Sequence, residues 1–161
     1  MSLKSSFLFI IIMGLLVSCD KKRVFDEYKS VGSAWNKKTV VSFDLPKLDT
    51  LKKYNLFVNL RANDNYQFNN LFLIVSLEAP NGLMKVDTLE YQMADVDGTL
   101  LGDGFSDLKE SKLFYKENIQ FKASENNKVH IKQVVRQTGK VVGVENLEGI
   151  TEVGFRIESL E

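Results

Sequence analysis

Apolar and polar residues alternate with a period of two in run after run, the pattern of half-buried β-strands. Thr39, Val41 and Phe43 alternate with Lys38, Val40, Ser42 and Asp44. Tyr54, Leu56, Val58 and Leu60 alternate with Asn55, Phe57, Asn59 and Arg61. Leu71, Leu73, Val75 and Leu77 alternate with Phe72, Ile74 and Ser76; this run is apolar on both faces and predicts a central strand. Leu45-Pro46 and Asn63-Asp64-Asn65 break the runs. In Ala79-Pro80-Asn81-Gly82 the proline pre-sets φ and Asn-Gly tolerates positive φ, which predicts a hairpin to a fourth strand over 84–91. Further strands are expected over 112–121, with Leu113, Tyr115 and Phe121 packing, and over 128–137, with Val129, Ile131 and Val134 facing in. Val153, Phe155 and Ile157 mark the last, and 141–144 a short extra one. About seven short strands with regular turns predict an all-β chain, a single antiparallel β-sandwich of jelly-roll-like form. Helices over 109–120 or 124–137 are the alternative, because Lys, Glu and Gln are frequent there.

The N-terminus obeys a different rule. Lys4 and two serines precede an unbroken apolar run over 7–17, FLFIIIMGLLV. As a helix it would span roughly 16 Å, half of a ~30 Å hydrocarbon core. It is too short to cross a membrane and has the length and polarity of a secretory signal peptide. Leu16-Val17-Ser18-Cys19 ends it and resembles the lipobox of bacterial lipoproteins. There the cysteine thiol accepts a diacylglycerol, cleavage follows before it, and the new α-amine is acylated in turn. Two or three acyl chains, each worth ~0.8 kcal/mol per buried CH₂, hold a domain on a membrane almost permanently. The expected organisation is a signal peptide over 1–18, a lipidated tether over 19–36 that becomes ordered near Trp35, and a β-sandwich domain over 37–161. Lys21-Lys22-Arg23 would lie near the lipid headgroups. Acidic runs after the cysteine accompany surface export in some Gram-negative groups. Asp20-Lys21-Lys22-Arg23 has none, which points to an outer-membrane anchor facing the periplasm.

Composition removes several function classes. Lys+Arg and Asp+Glu both number 21, so there is no basic excess for nucleic acid. One cysteine permits no intramolecular disulfide and no thiolate metal cage, and one histidine, His130, no His-rich metal centre. A Ser-His-Asp hydrolase would have to use that one residue. No cofactor is expected, and neither is enzymatic activity.

Two strings resemble chemistry. Asp95-Val96-Asp97-Gly98-Thr99 matches the first motif of haloacid-dehalogenase-type phosphatases, in which the first Asp attacks phosphorus and Mg²⁺ bridges the pair. That motif needs a buried parallel strand before it, and Tyr91-Gln92-Met93-Ala94 makes a poor one. Asp95, Asp97, Asp103 and Asp107 also cluster in a glycine-rich loop as a candidate Ca²⁺ site, although the order does not fit an EF-hand. Trp35, Tyr54, Tyr66, Phe68, Phe72 and Tyr91 form a candidate sugar-stacking platform, which makes a carbohydrate-binding envelope lipoprotein the alternative function. Asn55, Asn59, Arg61, Asn63, Asn65, Asn69 and Asn70 make the region around the second and third runs polar enough for recognition.

The ordered features run along nearly the whole chain. Cys19 is followed by Trp35, then Tyr54-Asn55-Leu56-Phe57-Val58, Leu60-Arg61 and Asn70-Leu71-Phe72. Asp87-Thr88-Leu89, Ala94-Asp95 with Gly98, and Leu101-Gly102 with Gly104 come next. Arg136 and Gly149-Ile150, with Val153-Gly154, close the pattern. In this order they resemble the gliding-motility lipoprotein H (GldH) family of the Bacteroidetes. The resemblance implies a non-enzymatic cell-envelope lipoprotein, anchored to the membrane by acyl chains and partnered by proteins of the gliding apparatus and its linked type IX secretion system. Cys19 alone carries over as a functional residue.

Overall fold

The computed structural model describes residues 20–104 and 106–160. Within them lie ten strands and no helix: β1 (Arg23–Ser30), β2 (Ala34–Asn36), β3 (Val41–Asp44), β4 (Tyr54–Ala62), β5 (Asn70–Glu78), β6 (Met84–Gln92), β7 (Lys109–Ile119), β8 (Lys128–Gln133), β9 (Asn146–Glu148) and β10 (Ile150–Ser159). The helical alternatives over 109–120 and 124–137 are therefore strands β7 and β8.

Every pairing is antiparallel and nested: β1 with β10, β2 with β9, β3 with β8, β4 with β7, β5 with β6. The chain is thus one long hairpin whose tip is the β5–β6 turn. Rolling that hairpin on itself adds the pairs β10–β4 and β8–β5. Two four-stranded sheets result, ordered β1-β10-β4-β7 and β3-β8-β5-β6, which is the jelly-roll arrangement.

The alternating residues fill the space between the sheets. Leu56, Val58, Leu60, Val153, Phe155 and Ile157 come from one sheet; Phe43, Leu71, Leu73, Val75, Val129 and Ile131 come from the other, all buried. Each such side chain contributes about 1.5–3 kcal/mol by leaving water. Trp35 on β2 caps this core, wholly buried, and its indole N–H donates to Thr39 O at 3.0 Å. Val135 rather than Val134 is the buried residue after β8. Residues 141–144 supply one isolated bridge, Arg136 to Gly143, in place of a strand.

The tether expected over 19–36 is not what the chain forms. From Arg23 onward it is the edge strand of the first sheet, and residues 34–36 are β2. The folded domain therefore includes β1 and β2, ahead of the expected start at 37.

Candidate functional site

Cys19 and the lipobox residues Leu16, Val17 and Ser18 lie outside the described residues. What the fold does show is how the chain directly after Cys19 is held. Arg23 N–H donates to Asp20 O at 3.2 Å and Lys22 N–H to Asp20 Oδ1 at 3.3 Å, closing a turn. Ser159 N–H at the end of β10 donates to Lys22 O at 2.8 Å. Alternation along β10 turns Arg156 and Glu158 to the outer face of the sheet. There Arg156 donates to Asp26 Oδ2 at 2.7 Å, to Glu158 Oε1 at 2.7 Å and to the carboxylate of Asp20. Lys112 on β7 completes the group with a 2.6 Å bond to Glu158 Oε1. The Arg156 hydrogen bond holds the Asp20 carboxyl below its usual range. Burial pushes Glu158 up, but the bonds from Lys112 and Arg156 outweigh it and its carboxyl also stays low.

This leading turn sits at one end of the sandwich, where β4 starts and β7 and β10 finish. Loop 45–53 and loop 120–127 cross the same end. They are tied by Leu45 N–H to Asn127 O at 2.9 Å, Leu48 N–H to Ser124 O at 2.8 Å and Gln120 Nε2 to Thr50 O at 2.6 Å. Leu45 and Leu48 plug the core, whereas Leu51 stands 86% exposed between the loop's polar residues. Beside them the β5–β6 turn and the end of β7 enclose a groove of about 680 Å³. Leu83, Met84, Ile119 and Phe121 line it, with Lys85, Lys122 and Lys128 at its polar margin.

The other sequence candidates are dispersed or already engaged. Asp95-Val96-Asp97-Gly98-Thr99 is a tight turn after β6: Asp95 N–H donates to Thr99 O at 2.9 Å, Gly98 N–H to Asp95 O at 3.0 Å and Thr99 N–H to Asp97 Oδ1 at 2.9 Å. Among the described residues every pairing is antiparallel, so no parallel strand of the kind the phosphatase motif requires precedes this string. Among the described residues no three His, Cys, Asp or Glu side chains converge as a metal site, so Asp95, Asp97, Asp103 and Asp107 are not brought together as Ca²⁺ ligands. Trp35, Tyr54 and Tyr66 are core residues, and Tyr91 donates its hydroxyl to Phe114 O at 2.7 Å. Of the six aromatics only Phe68 and Phe72, both half-buried, are left for such a platform. Of the polar cluster, Asn59 is buried and donates to Asp26 Oδ1 at 3.1 Å, while Arg61 is shared between Glu110 at 3.0 Å and Glu152 at 2.6 Å.

One contact was not legible beforehand. Ser42 Oγ lies 2.7 Å from His130 Nδ1, and His130 Nε2 lies 2.7 Å from Glu78 Oε2. The order Ser–His–carboxylate is that of a hydrolase, but these residues sit side by side on three neighbouring strands of an open sheet face. A serine there is flanked by ladder-paired backbone, without a turn of free N–H groups to stabilise an oxyanion. The contact braces β3 against β8 and β5.

The sequence pattern of the GldH lipoprotein family matches residues 23–157, from the first strand to the last. The chain belongs to this family. The match reaches all ten strands, ending within β10. The gliding motility lipoprotein GldH of Flavobacterium johnsoniae is 68% identical over 158 residues, covering 98% of either chain. A GldH homolog of Christiangramia forsetii is 51% identical over 154 residues, covering 96% of this chain and 94% of that one. Among solved structures, the VP2 subviral particle of infectious bursal disease virus is similar at a TM-score of 0.39 and 12% identity, covering 87% of this chain and 34% of that one. As a GldH-family member the chain is a lipoprotein of the cell envelope associated with gliding motility.

Proposed function

We propose that this GldH-family chain is acylated on Cys19 and acts, without catalysing a reaction, as a structural or docking component of the gliding machinery and the type IX secretion system linked to it. Family membership over residues 23–157 is the observation that carries this reading. The lipobox Leu16-Val17-Ser18-Cys19 supplies the anchor, and the absence of an acidic run after Cys19 favours the periplasmic leaflet of the outer membrane. Anchoring confines the domain to a thin layer, which raises its effective concentration for neighbours without high intrinsic affinity. Val96, Val141 and Val142, all strongly exposed on loops at the end opposite the leading turn, are suited to docking a protein partner.

The test is Cys19→Ala in a gliding host. The expected result is a folded protein that no longer incorporates labelled palmitate, moves to the soluble fraction and fails to support gliding. Normal gliding from a fully soluble variant overturns the reading. Crosslinking of the anchored protein in its own envelope, followed by identification of the neighbours, names the partners.

A further inference from the structure

The formal net charge of this chain is zero, yet a group of lysines gathers at one end of the sandwich. At the end that carries the leading turn, the described loops expose Lys21, Lys22 and Arg23, then Lys47, Lys52 and Lys53. Lys122 adds a seventh cation on loop 120–127. Against them stand Asp20, Asp49 and Glu125; Asp20 is held by Arg156, and Glu125 faces Lys47 at 3.1 Å. The strand-end carboxylates Asp44 and Glu158 are likewise paired, with Lys128 and with Lys112 and Arg156. Exposed Glu117 near the end of β7 offsets one more of these cations and leaves a small excess of positive charge among the described residues. The loops at the opposite end carry Asp64, Asp95, Asp97, Asp103, Asp107 and Glu145 against Lys37, Lys38, Arg136 and Lys140, so charge of both signs is mixed there. Lys21, Lys22, Arg23, Lys52, Lys53 and Lys122 enter no ion pair among the described residues, so the end nearest Cys19 is locally basic.

Apolar side chains stand out at that same end. Leu51 is 86% exposed beside Lys52 and Lys53, and Leu83 is 69% exposed at the mouth of the groove. Exposed leucines ringed by lysines are the composition of a surface that settles into the headgroup layer: the cations meet phosphate and the apolar tips enter the acyl boundary.

Geometry supplies the occupant. Only Asp20, Lys21 and Lys22 separate Cys19 from the first strand residue, a fully extended reach of about 14 Å. The turn at Asp20 and its bond to Arg156 shorten that reach. A lipid on Cys19 would leave this end of the sandwich against the bilayer with no tether to hold it off.

We infer that the positive end of the sandwich, formed by the leading turn and loops 45–53, 79–83 and 120–127, docks on a bilayer surface bearing anionic headgroups, with Leu51 inserted. This inference rests on the Cys19 anchor proposed above. It fixes the orientation of the domain, with the opposite loop end pointing away from the lipid, where a partner would be met.

The test uses the natural, lipidated chain carrying Leu51→Trp, reconstituted into vesicles of phosphatidylcholine alone or with roughly one quarter phosphatidylglycerol. Trp35 is fully buried, so it gives a constant background against which the introduced indole is read. Docking predicts flotation with both vesicle types, but a blue shift and quenching by brominated acyl chains only with the anionic one. It also predicts loss of that quenching at about 0.5 M salt and in the Lys52→Glu, Lys53→Glu double variant. Equal emission on both vesicle types overturns the docking and leaves the anchor standing. Failure to float with phosphatidylcholine overturns the anchor. Quenching on anionic vesicles in that case still upholds the docking, and its absence overturns both. A blue shift without vesicles that grows with protein concentration identifies a contact between copies and overturns the membrane assignment.

Discussion

Arg156 on the last strand reaches Asp26 on the first at 2.7 Å, directly across the β1–β10 pair. That bond joins the two ends of the long hairpin from which the jelly roll is rolled. The same guanidinium also holds Asp20, so the residue next to Cys19 is fastened to the C-terminal strand. If Cys19 carries the proposed lipid, a pull on it passes into β10, an inner strand of the sheet.

Replacing Arg156 with alanine removes the donors for Asp20, Asp26 and Glu158 together. Arg156 is 14% exposed in its side chain, so the carboxylates left behind are only partly solvated. A loss of roughly 2–3 kcal/mol is expected, in the range for charged hydrogen bonds of this kind. Urea unfolding measures the total. Amide exchange should show the opening concentrated in β1, with the β5–β6 hairpin unchanged.

Acid should loosen the same region. Glu158 and Asp20 have carboxyls held below their ordinary values of 4.5 and 3.8 by their basic partners. A group depressed in the folded state contributes stability above its unfolded value and loses it as pH falls through the folded one. The melting temperature should therefore be flat through neutral pH and begin to fall below about pH 4.5. Glu158→Gln should lower the neutral plateau and reduce the acid slope. An unchanged slope in that variant would assign the acid sensitivity to other carboxylates, such as Asp87, where bonds from Lys116 and Tyr115 outweigh burial.

The core strands could be read from sequence because both sheets bury one face, so alternation is preserved in β4, β5 and β10. β1 could not. Its inward row is Phe25, Glu27 and Lys29, one aromatic and two charges at an open sheet edge, where Lys29 lies 5.2 Å over the Phe43 ring. Inward-pointing charge on an edge strand discourages edge-to-edge association and erases the pattern. β2 and β9, at three residues each, are too short to alternate. The Ser42–His130–Glu78 contact joins three separate strands, and nothing local in any of them announces it. The same holds for the basic end, whose cations come from three segments far apart in the chain. The proposed lipobox, Leu16-Val17-Ser18-Cys19, is by contrast contiguous, so sequence alone suffices to propose it.

Gly149 joins β9 to β10 with φ +85°, and a Cβ there would overlap the backbone of Tyr66. Gly149→Ala therefore meets both a left-handed backbone and a fixed neighbour. Since backbone at Tyr66 cannot rotate away, the expected cost is about 2–4 kcal/mol. At Gly139, also at positive φ but in open space, alanine should cost only about 1–2 kcal/mol, the left-handed backbone alone. Equal costs in thermal melts of the two variants would show that backbone conformation alone, and not the approach of Tyr66, fixes Gly149.

The phosphatase-like string gives the last test. Asp97 accepts the Thr99 N–H at 2.9 Å, which holds its carboxyl low, while the Asp95 backbone closes the turn with Thr99 and Gly98. If these residues only shape a turn, Asp95→Asn should change stability by less than about 0.5 kcal/mol, as an exposed substitution does. Asp97→Asn keeps an oxygen for the Thr99 N–H and should cost little more. Neither Ca²⁺ nor a chelator should move the melting temperature, and Mg²⁺ should elicit no phosphoester hydrolysis. A rise of several degrees with Ca²⁺ that disappears in Asp95→Asn would instead make this loop a cation site, because ligand bound to the native state alone raises stability by mass action.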